Sequence, residues 1–343
     1  MNMGERQGGT LGIGIIGAGR MGALRAEALM HHVPQARVLA IADANPAAAE
    51  QVAARLGIPR ATGEAAELLE DPQIGALLIC SPTDSHARWI QAGAAAGKQL
   101  FVEKPIALDL AQTDTALGAV ARAGVRLQVG MNRRYDPTYA RLREAIAQGA
   151  VGEIHLLHIV SRDPAPPPIS YVRSSGGLFL DMTIHDLDMA RFLVGAEVRS
   201  VYAQGAARIS PEIGAAGDID TALTALTFEN GVLATIDNSR QAVYGYDQRA
   251  EVFGSRGALS TENLYPNEVT FRTAEQIRRD LPLHFFLERY AESYRREMGA
   301  FVEAMQAGAP PTPDGADGRA ALVLGLAAQR SLELGRPVAV SEV

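Results

Sequence analysis

A mostly apolar stretch, LFLDMTIHDLDMARFL at residues 178–193, carries five ionisable side chains: Asp181, His185, Asp186, Asp188 and Arg191. On a helical wheel of about 100° per residue, Asp181, His185 and Asp188 share one narrow face. Because it is costly to bury such a polar stripe among apolar side chains, we expect the stripe to line a polar cleft. Histidine is the natural general base near neutral pH, and a carboxylate one turn away orients its ring. This spacing predicts His185 as a base and Asp181 as its partner.

Two other interpretations of the same stripe stay open. The histidine and the aspartate could form a purely structural pair, and ligands at positions i and i+4 also suit zinc. The single cysteine, Cys80, is remote in sequence, and no further histidine cluster is evident. We therefore predict that the protein holds no metal ion.

Lysine is unusual in this chain, since 30 of the 32 basic residues are arginines and only Lys98 and Lys104 are lysines. Lys104 ends the apolar run QLFVEK, and the proline that follows restricts its backbone to extended conformations. A compact ammonium held there can polarise a hydroxyl or a carbonyl and stabilise a developing alkoxide. We predict that Lys104 is catalytic, with a solvated strand end as the alternative. Lys98 follows Gly97, and we expect it to be solvated.

The motif GAGRMG matches G-x-G-x-x-G at Gly17, Gly19 and Gly22. A strand precedes it, a helix follows it, and Asp43 ends the next strand, as in dinucleotide-binding folds. Asp43 would accept hydrogen bonds from ribose hydroxyls, and the three residues after it include no arginine for a 2′-phosphate, so NAD is favoured over NADP. For the loop SPTDSHA, capping of the next helix by Thr83 or Asp84 is the alternative to cofactor contact. The predicted cofactor-binding residues are Gly17, Ala18, Gly19, Arg20, Met21, Gly22, Asp43, Ser81, Thr83, His86, Glu103 and Lys104.

The elements that must position these residues alternate up to about Arg133. Short apolar runs predict strands at residues 11–16, 37–43, 76–80, 99–105 and 125–130, and helical patterns follow the first four. Alternating strands and helices predict a parallel, doubly wound sheet. We predict a Rossmann domain at residues 11–131.

After Arg133, predicted strands follow one another with turns between them, which is typical of an antiparallel sheet. The six runs are IHLLHIVSR, EVRSVYAQGAAR, IDTALTALTF, GVLATIDNSR, DQRAEVFG and ALSTEN. Asn230 and Gly231 lie between two of them and predict a hairpin. Two helical patterns, about 285–307 and 315–334, close the chain and are separated by AGAPPTPDG, which no helix could cross. We predict a second, α+β domain at residues 132–343.

The composition excludes several classes of function. The chain of 343 residues carries a formal charge of −7 with scattered basic residues, which argues against nucleic acid as the main partner and favours a small molecule. No run of about 18 apolar residues is present, and the first ten residues lack an export signal. With its single cysteine, the protein is expected to be cytoplasmic, without an intramolecular disulfide and away from membranes.

The motifs GAGRMG, SPTDSHA, EKP and DMTIHDLDMAR together resemble the glucose-fructose oxidoreductase/inositol dehydrogenase family of NAD(P)-dependent enzymes, and the similarity covers essentially the whole chain. It implies the same triad of Lys104, Asp181 and His185. It also implies an open, mainly antiparallel sheet in the second domain, whose outer face commonly builds an oligomer, a homotetramer or a dimer. It further implies that Arg133, Asp163, Asp188 and Tyr244 bind polyol hydroxyls together with the triad; a structural role is the alternative for each.

Five phrases are most similar to family members that oxidise myo-inositol to 2-keto-myo-inositol with NAD. They are GMNRRYDPTYA, SRDPAPPP, SSGGLFLDMTIHDLDMARFL, NSRQAVYGYDQRAEVFGSRG and FFLERYAESYRREMGAF. Three other functions stay open. One is dehydrogenation of another polyol or sugar, such as scyllo-inositol or an aldose, and another is a non-catalytic NAD-sensing regulator, which would be expected to lose the triad. A metal-dependent hydrolase using Asp181 and His185 is the third.

Overall fold

The computed structural model describes residues 9–343, which form two compact units. The first unit contains the described residues up to Asn132 together with Glu292–Arg319, and the second contains Arg133–Ala291 and Ala320–Val343. The sequence prediction placed everything after residue 131 in a second domain, whereas Glu292–Arg319 packs with the first unit. The physical reason is an apolar helix face in that segment, which enters the core of the first unit.

Within residues 9–132, parallel strands alternate with helices. The strands are β1 (Leu11–Ile16), β2 (Ala36–Ala42), β3 (Arg60–Thr62), β4 (Ala76–Ile79), β5 (Gln99–Glu103) and β6 (Leu127–Gly130), and the helices are α1 (Arg20–His32), α2 (Pro46–Leu56), α3 (Ala66–Glu70), α4 (His86–Ala95) and α5 (Leu110–Ala123). The order in the sheet is β3-β2-β1-β4-β5-β6, and every neighbouring pair is parallel. The predicted doubly wound sheet is confirmed. Strand β3 was not predicted, because Arg-Ala-Thr is not an apolar run.

From Arg133 onward the chain forms a seven-stranded sheet, a separate two-stranded sheet of β13 and β14, and the remaining α-helices. The strands are β7 (Ile154–Arg162), β8 (Val198–Ala206), β9 (Thr221–Phe228), β10 (Leu233–Ser239), β11 (Asp247–Gly254), β12 (Gly257–Ser260), β13 (Thr270–Arg272), β14 (Ile277–Arg279) and β15 (Val338–Ala339). The helices are α6 (Pro137–Ala147), α7 (Ile169–Val172), α8 (Ile184–Val194), α9 (Pro211–Ala215), α10 (Phe286–Arg289), α11 (Ala291–Ala307) and α12 (Gly315–Leu334). The six predicted strands and the last helix are confirmed, whereas the helix predicted at about 285–307 is divided at Tyr290 into α10 and α11.

The seven-stranded sheet has the order β12-β11-β7-β10-β9-β8-β15. All neighbours are antiparallel except β7 and β10, so the sheet is mixed but mostly antiparallel. The predicted hairpin joins β9 and β10. Its turn is made at Gly231, which has a φ of +88°, while the Asn230 side chain accepts a hydrogen bond from the amide of Val232.

The core of the first unit lies between its sheet and the helices that cover it. Phe301 and Met298 of α11 pack there with the strand residues Ile13, Ile15 and Phe101. The rings of Phe101 and Phe301 meet edge to face with their centroids 5.7 Å apart. Helix α11, which comes late in the sequence, therefore completes this unit. Among the helices of residues 9–343, none combines the length and the apolar composition needed to cross a bilayer.

Candidate functional site

Three glycines build the turn after β1, and two of them leave no room for a side chain. Gly17 has a φ of +106°, and a Cβ there would lie 2.5 Å from the carbonyl carbon of Cys80. A Cβ at Gly22 would overlap the carbonyl oxygen of Gly17. By contrast, a Cβ at Gly19 would meet no atom within 4 Å among the described residues, so this position at the start of α1 is open. Backbone amides at a helix N-terminus bind phosphates, and this turn therefore fits a pyrophosphate.

Asp43 follows β2 and ties the glycine turn to that strand. Its Oδ2 accepts a hydrogen bond of 2.7 Å from the amide of Ala18, and its Oδ1 accepts one of 2.9 Å from the amide of Asn45. Each carboxylate oxygen keeps further acceptor capacity, which suits the ribose hydroxyls of a dinucleotide. At the start of α1, Arg20 is exposed and Met21 is half-buried. The donor and acceptor groups present here fit NAD.

The loop after β4 is fixed by bonds within it. The hydroxyls of Ser81 and Ser85 lie 2.6 Å apart, and Thr83 begins a short 3₁₀ turn. Helix α4 has Ser85 as its N-cap residue, so the alternative that Thr83 or Asp84 caps this helix is wrong. Ser81 and Thr83 are half-buried and stay candidates for cofactor contact.

His86 lies beneath this loop and is only 2% exposed. Its Nδ1 is 2.8 Å from the carbonyl oxygen of Pro105, and its Nε2 is 2.8 Å from that of Ser81. Burial lowers the pKa of His86, while the two carbonyl acceptors oppose that change. Because both ring nitrogens face backbone atoms, the contacts of His86 support the surrounding loops rather than a direct contact with a cofactor.

Glu103, the residue before Lys104, belongs to a buried ion cluster. Arg25 of α1 donates from Nε to Glu103 at 2.8 Å and from its terminal nitrogen to Glu297 of α11. The Arg25 guanidinium lies 4.8 Å from the ring centroids of both Phe101 and Tyr294. Burial alone would lower the pKa of Arg25, but the two carboxylates raise it above its ordinary value. Glu103 is thus a structural anchor for the end of β5.

The two lysines of the chain occupy different environments. Lys104 is half-buried at the end of β5, between two buried neighbours. Lys98 is only 7% exposed, and its Nζ donates to the carbonyl oxygens of Asp71 and Ile74 at 2.7 and 2.8 Å. The expectation that Lys98 is solvated is therefore wrong, because a turn distant in sequence supplies two acceptors for its ammonium.

The stretch that carries Asp181 and His185 is not one continuous α-helix. Phe179–Thr183 forms a π-helical turn, and α8 begins at Ile184. π-Helical turns are rare in proteins as a whole, and those that occur are often found at functional sites. The helical wheel assumed α-helical geometry throughout, so it does not describe the relation of Asp181 to α8. Asp181 and His185 are half-buried, as a polar edge requires.

Both carboxylate oxygens of Asp181 accept hydrogen bonds from other side chains of the second unit. Tyr171 of α7 donates its hydroxyl to Oδ1 at 2.8 Å, and Arg240, after β10, donates to Oδ2 at 3.1 Å. The Arg240 side chain is 1% exposed and also lies 3.7 Å from Asp218. These bonds fix the orientation of the Asp181 carboxylate, four residues before His185.

Asp163 joins the same group of charges. Burial and the charge of Asp181 raise the pKa of Asp163 to about 7, against the opposing effect of Arg240. Its backbone is held by Ser239 and Ala242 at the end of β10. Asp163 therefore lies near enough to Asp181 for the two charges to interact.

Two other predicted polyol-binding residues take part in buried ion pairs. Arg133 pairs with Asp186, whose second oxygen accepts a hydrogen bond of 2.9 Å from Asn238. The next residue, Arg134, donates to both oxygens of Asp188 at 2.6 and 2.9 Å. Arg133 and Asp188 are 4% and 1% exposed. Asp188 therefore does not lie on an open polar stripe, because an arginine from the start of the second unit covers its carboxylate.

Tyr244 is half-buried in a separate network of the second unit. Its hydroxyl donates to Asp247 at 2.6 Å and accepts a hydrogen bond of 3.0 Å from Arg162. Burial and the Asp247 acceptor raise the pKa of Tyr244. Arg162 directly precedes Asp163, so this network borders the Asp163 and Asp181 group through the backbone.

Sequence reasoning missed Tyr171 and Arg240, the two residues that hold Asp181. Arg240 follows β10 directly, and a polar residue at a strand end was the only available signal. Tyr171 lies on a four-residue helix within SYVRSSGG, where periodicity gives no signal. Within residues 9–343, no group of three or more His, Cys, Asp or Glu side chains is arranged to hold a metal ion.

Comparisons with known proteins agree with this architecture. Residues 11–131 match the model of an oxidoreductase family with an NAD-binding Rossmann fold, and residues 139–260 match the GFO/IDH/MocA C-terminal domain. Myo-inositol 2-dehydrogenase from Thermotoga maritima is 46% identical over 331 residues, which cover 96% of this chain and 99% of that protein. The scyllo-inositol 2-dehydrogenase (NAD(+)) of Bacillus subtilis is 38% identical and covers 94% of each chain.

A solved structure shows the same fold. Scyllo-inositol dehydrogenase from Lactobacillus casei, with bound NAD(H) and scyllo-inositol, superimposes with a TM-score of 0.90 at 31% identity. The match covers 97% of this chain and 99% of that chain.

Proposed function

The chain belongs to the GFO/IDH/MocA family of NAD-binding oxidoreductases, and we propose that it oxidises the C2 hydroxyl of myo-inositol to give 2-keto-myo-inositol and NADH. The observation that carries the proposal is the Asp181 carboxylate, held by Tyr171 and Arg240 four residues before a half-buried His185. A regulator without catalysis would need neither this arrangement nor Lys104.

In the proposed reaction, His185 takes the hydroxyl proton as the C2–H bond breaks and a carbonyl forms. NAD, when bound, supplies the ring that accepts the hydride. Asp181 orients the His185 ring and favours its protonated form. Lys104 stabilises the negative charge that develops on the same oxygen.

Asp43 would select NAD. Its carboxylate would accept hydrogen bonds from the ribose hydroxyls and repel a 2′-phosphate. In the second unit, Asp163 and Tyr244 are proposed to contact polyol hydroxyls. Arg133 is already paired with Asp186, and Asp188 with Arg134, so we assign Arg133 and Asp188 to supporting α8 instead.

We also propose a homo-oligomer that uses the outer face of the seven-stranded sheet. Large apolar side chains are exposed on it, including Leu156, Leu233 and Phe253 at 50%, 50% and 44%. A tetramer and a cytoplasmic location stay predictions. Sedimentation of wild type and L233R tests the interface, since the charge is expected to dissociate the assembly and an unchanged sedimentation coefficient contradicts it.

The activity is tested by following NADH formation with purified protein. Myo-inositol, scyllo-inositol, glucose and several aldoses are each offered with NAD or NADP. We expect the highest kcat/KM for myo-inositol with NAD. Preference for scyllo-inositol would assign the function of the Bacillus subtilis relative instead, and activity with none of the polyols would overturn the proposal.

The base is tested with H185A, and H32A, at an exposed histidine of α1, is the matched control. H185A is expected to lower turnover by about 10²–10⁴-fold while NAD affinity stays at the wild-type level, and H32A is expected to match wild type. Wild-type turnover in H185A would remove His185 from the mechanism. Full activity after exhaustive chelation would exclude the metal-dependent hydrolase.

A further inference from the structure

His86 connects two loops of the first unit that follow neighbouring parallel strands. Its Nε2 lies 2.8 Å from the carbonyl oxygen of Ser81, in the loop after β4. Its Nδ1 lies 2.8 Å from that of Pro105, in the segment after β5. Both loops lie at the carboxyl ends of their strands, the edge at which such sheets bind ligands. One buried ring thus links the loop proposed to contact the cofactor with the segment that carries Lys104.

The residues before and after Lys104 are each in contact with a buried side chain. The residue before it, Glu103, is bonded to the buried Arg25, and the residue after it supplies the carbonyl that His86 contacts. These supports come from buried side chains of α1 and α4, since Arg25 is 0% and His86 2% exposed. Lys104 itself is half-buried, while Glu103 and Pro105 are buried. The lysine therefore extends from a backbone that has little freedom to move.

The two contacts of His86 differ in what they hold. A neutral imidazole carries one N–H and donates to one carbonyl, and an imidazolium donates to both. The hydrogen bond to Pro105, next to Lys104, forms when Nδ1 carries a proton, and the one to Ser81 forms when Nε2 carries a proton. The contact at Nε2 acts on Ser81, whose hydroxyl is hydrogen-bonded to the hydroxyl of Ser85.

We propose that His86 is a positioning residue with two separable effects: Nδ1 positions Lys104 through Pro105, and Nε2 positions the cofactor loop through Ser81. The proposal rests on the proposed function, in which Lys104 stabilises the reacting oxygen. A displacement of about 1 Å at a reacting group can cost about 100-fold in rate. Loss of the Nδ1 contact should therefore lower kcat, and loss of the Nε2 contact should raise the KM for NAD.

Two carboxamide substitutions separate the contacts. The side-chain amide of H86N corresponds in position to Nδ1 and keeps the bond to Pro105, whereas that of H86Q corresponds to Nε2 and keeps the bond to Ser81. H86Q is expected to lower kcat by about 10- to 100-fold with the KM for NAD near wild type. H86N is expected to keep kcat within a few-fold and to raise the KM for NAD by about tenfold. K104M and H86L serve as the reference variants.

Lysine NMR gives a second readout that does not depend on turnover. The chain contains only two lysines, so protein labelled with ¹³C-lysine gives signals for Lys98 and Lys104 alone. In H86Q, the Lys104 signal is expected to move while that of the buried Lys98 stays. In H86N, both are expected to stay. A merely structural effect on the first unit would move both signals in both variants.

The outcomes separate this proposal from the proposed function. Wild-type kcat in K104M would remove Lys104 from the mechanism and leave His86 without this role. A strong loss in K104M, together with wild-type kcat in H86Q, would overturn the positioning role alone. Equal changes of kcat and KM in H86N and H86Q would also overturn it. Failure of both variants to fold would do the same, because each keeps one of the two bonds.

Discussion

Replacing Arg25 by methionine tests whether the buried ion cluster stabilises the first unit. The change removes the guanidinium that Glu103 and Glu297 share, at a place where the Glu297 side chain is 0% exposed. Breaking a buried ion pair by removing one partner typically costs about 3–5 kcal/mol, because the remaining charge stays desolvated. With a urea m-value of about 2–3 kcal/mol/M, the unfolding midpoint should fall by about 1–2.5 M.

The assay uses the single tryptophan of the chain. Trp89 lies in α4, so its fluorescence in urea follows the unfolding of the first unit. R55M is the matched control. Its guanidinium is exposed and lies 3.2 Å from an exposed Glu27, and loss of such a pair costs about 0–1 kcal/mol.

A triple variant, R25M/E103L/E297L, separates lost charge compensation from lost packing. Replacing a whole buried ion cluster by apolar side chains is often neutral or stabilising, so this variant should recover most of the midpoint that R25M loses. Our reasoning is refuted if R25M and R55M shift the midpoint by the same small amount. It is also refuted if the triple variant is no more stable than R25M.

Two further predictions concern pH and the glycine turn. Because burial and Asp181 raise the pKa of Asp163 from 3.8 to about 7, the folded protein binds this proton more tightly than the unfolded chain. Its contribution to stability is therefore full below about pH 4 and is lost as pH rises through about 7. Urea midpoints from circular dichroism should fall more steeply between pH 5 and 8 in wild type than in D163N, and parallel profiles would contradict this. G19A should fold normally and bind NAD about 10- to 100-fold more weakly, since its methyl group fills the open position. G22A should instead lower the stability of the first unit by about 1–3 kcal/mol, because its methyl group overlaps the carbonyl oxygen of Gly17. Wild-type NAD affinity in G19A, measured by titration, would contradict the assigned turn.

The sheet of the first unit was predictable because five of its six strands are short apolar runs with helical patterns or turn residues after them. The start of α5 was predictable for a local reason too, since Asp109 caps it by accepting a bond from the amide of Gln112. The three-residue strand β3 gave no such pattern. Its place is set by pairing with β2, a contact that local periodicity does not encode.

The candidate site was predictable in its residue types but not in their pairing. The sequence indicated that the carboxylates near His185 need polar surroundings, and it could not indicate which of them an arginine would cover. Asp188 and Asp186 are paired with arginines about 50 residues earlier in the chain. A helical wheel shows only residues of the same helix, so these partners could not be deduced from it. The environment of Lys98 was mispredicted for the same reason, because its acceptors lie at positions 71 and 74.

The late position of α11 in the sequence has a consequence for protein synthesis. Chains grow at about 5–20 residues per second, so roughly 10–30 seconds separate the emergence of Asn132 from that of Phe301. During that interval the nascent Rossmann strands lack Phe301 and Glu297, and Arg25 lacks one of its two carboxylates. The second unit likewise waits for Ala320–Val343. A ribosome that stops before residue 292 therefore releases a polypeptide in which neither unit is complete.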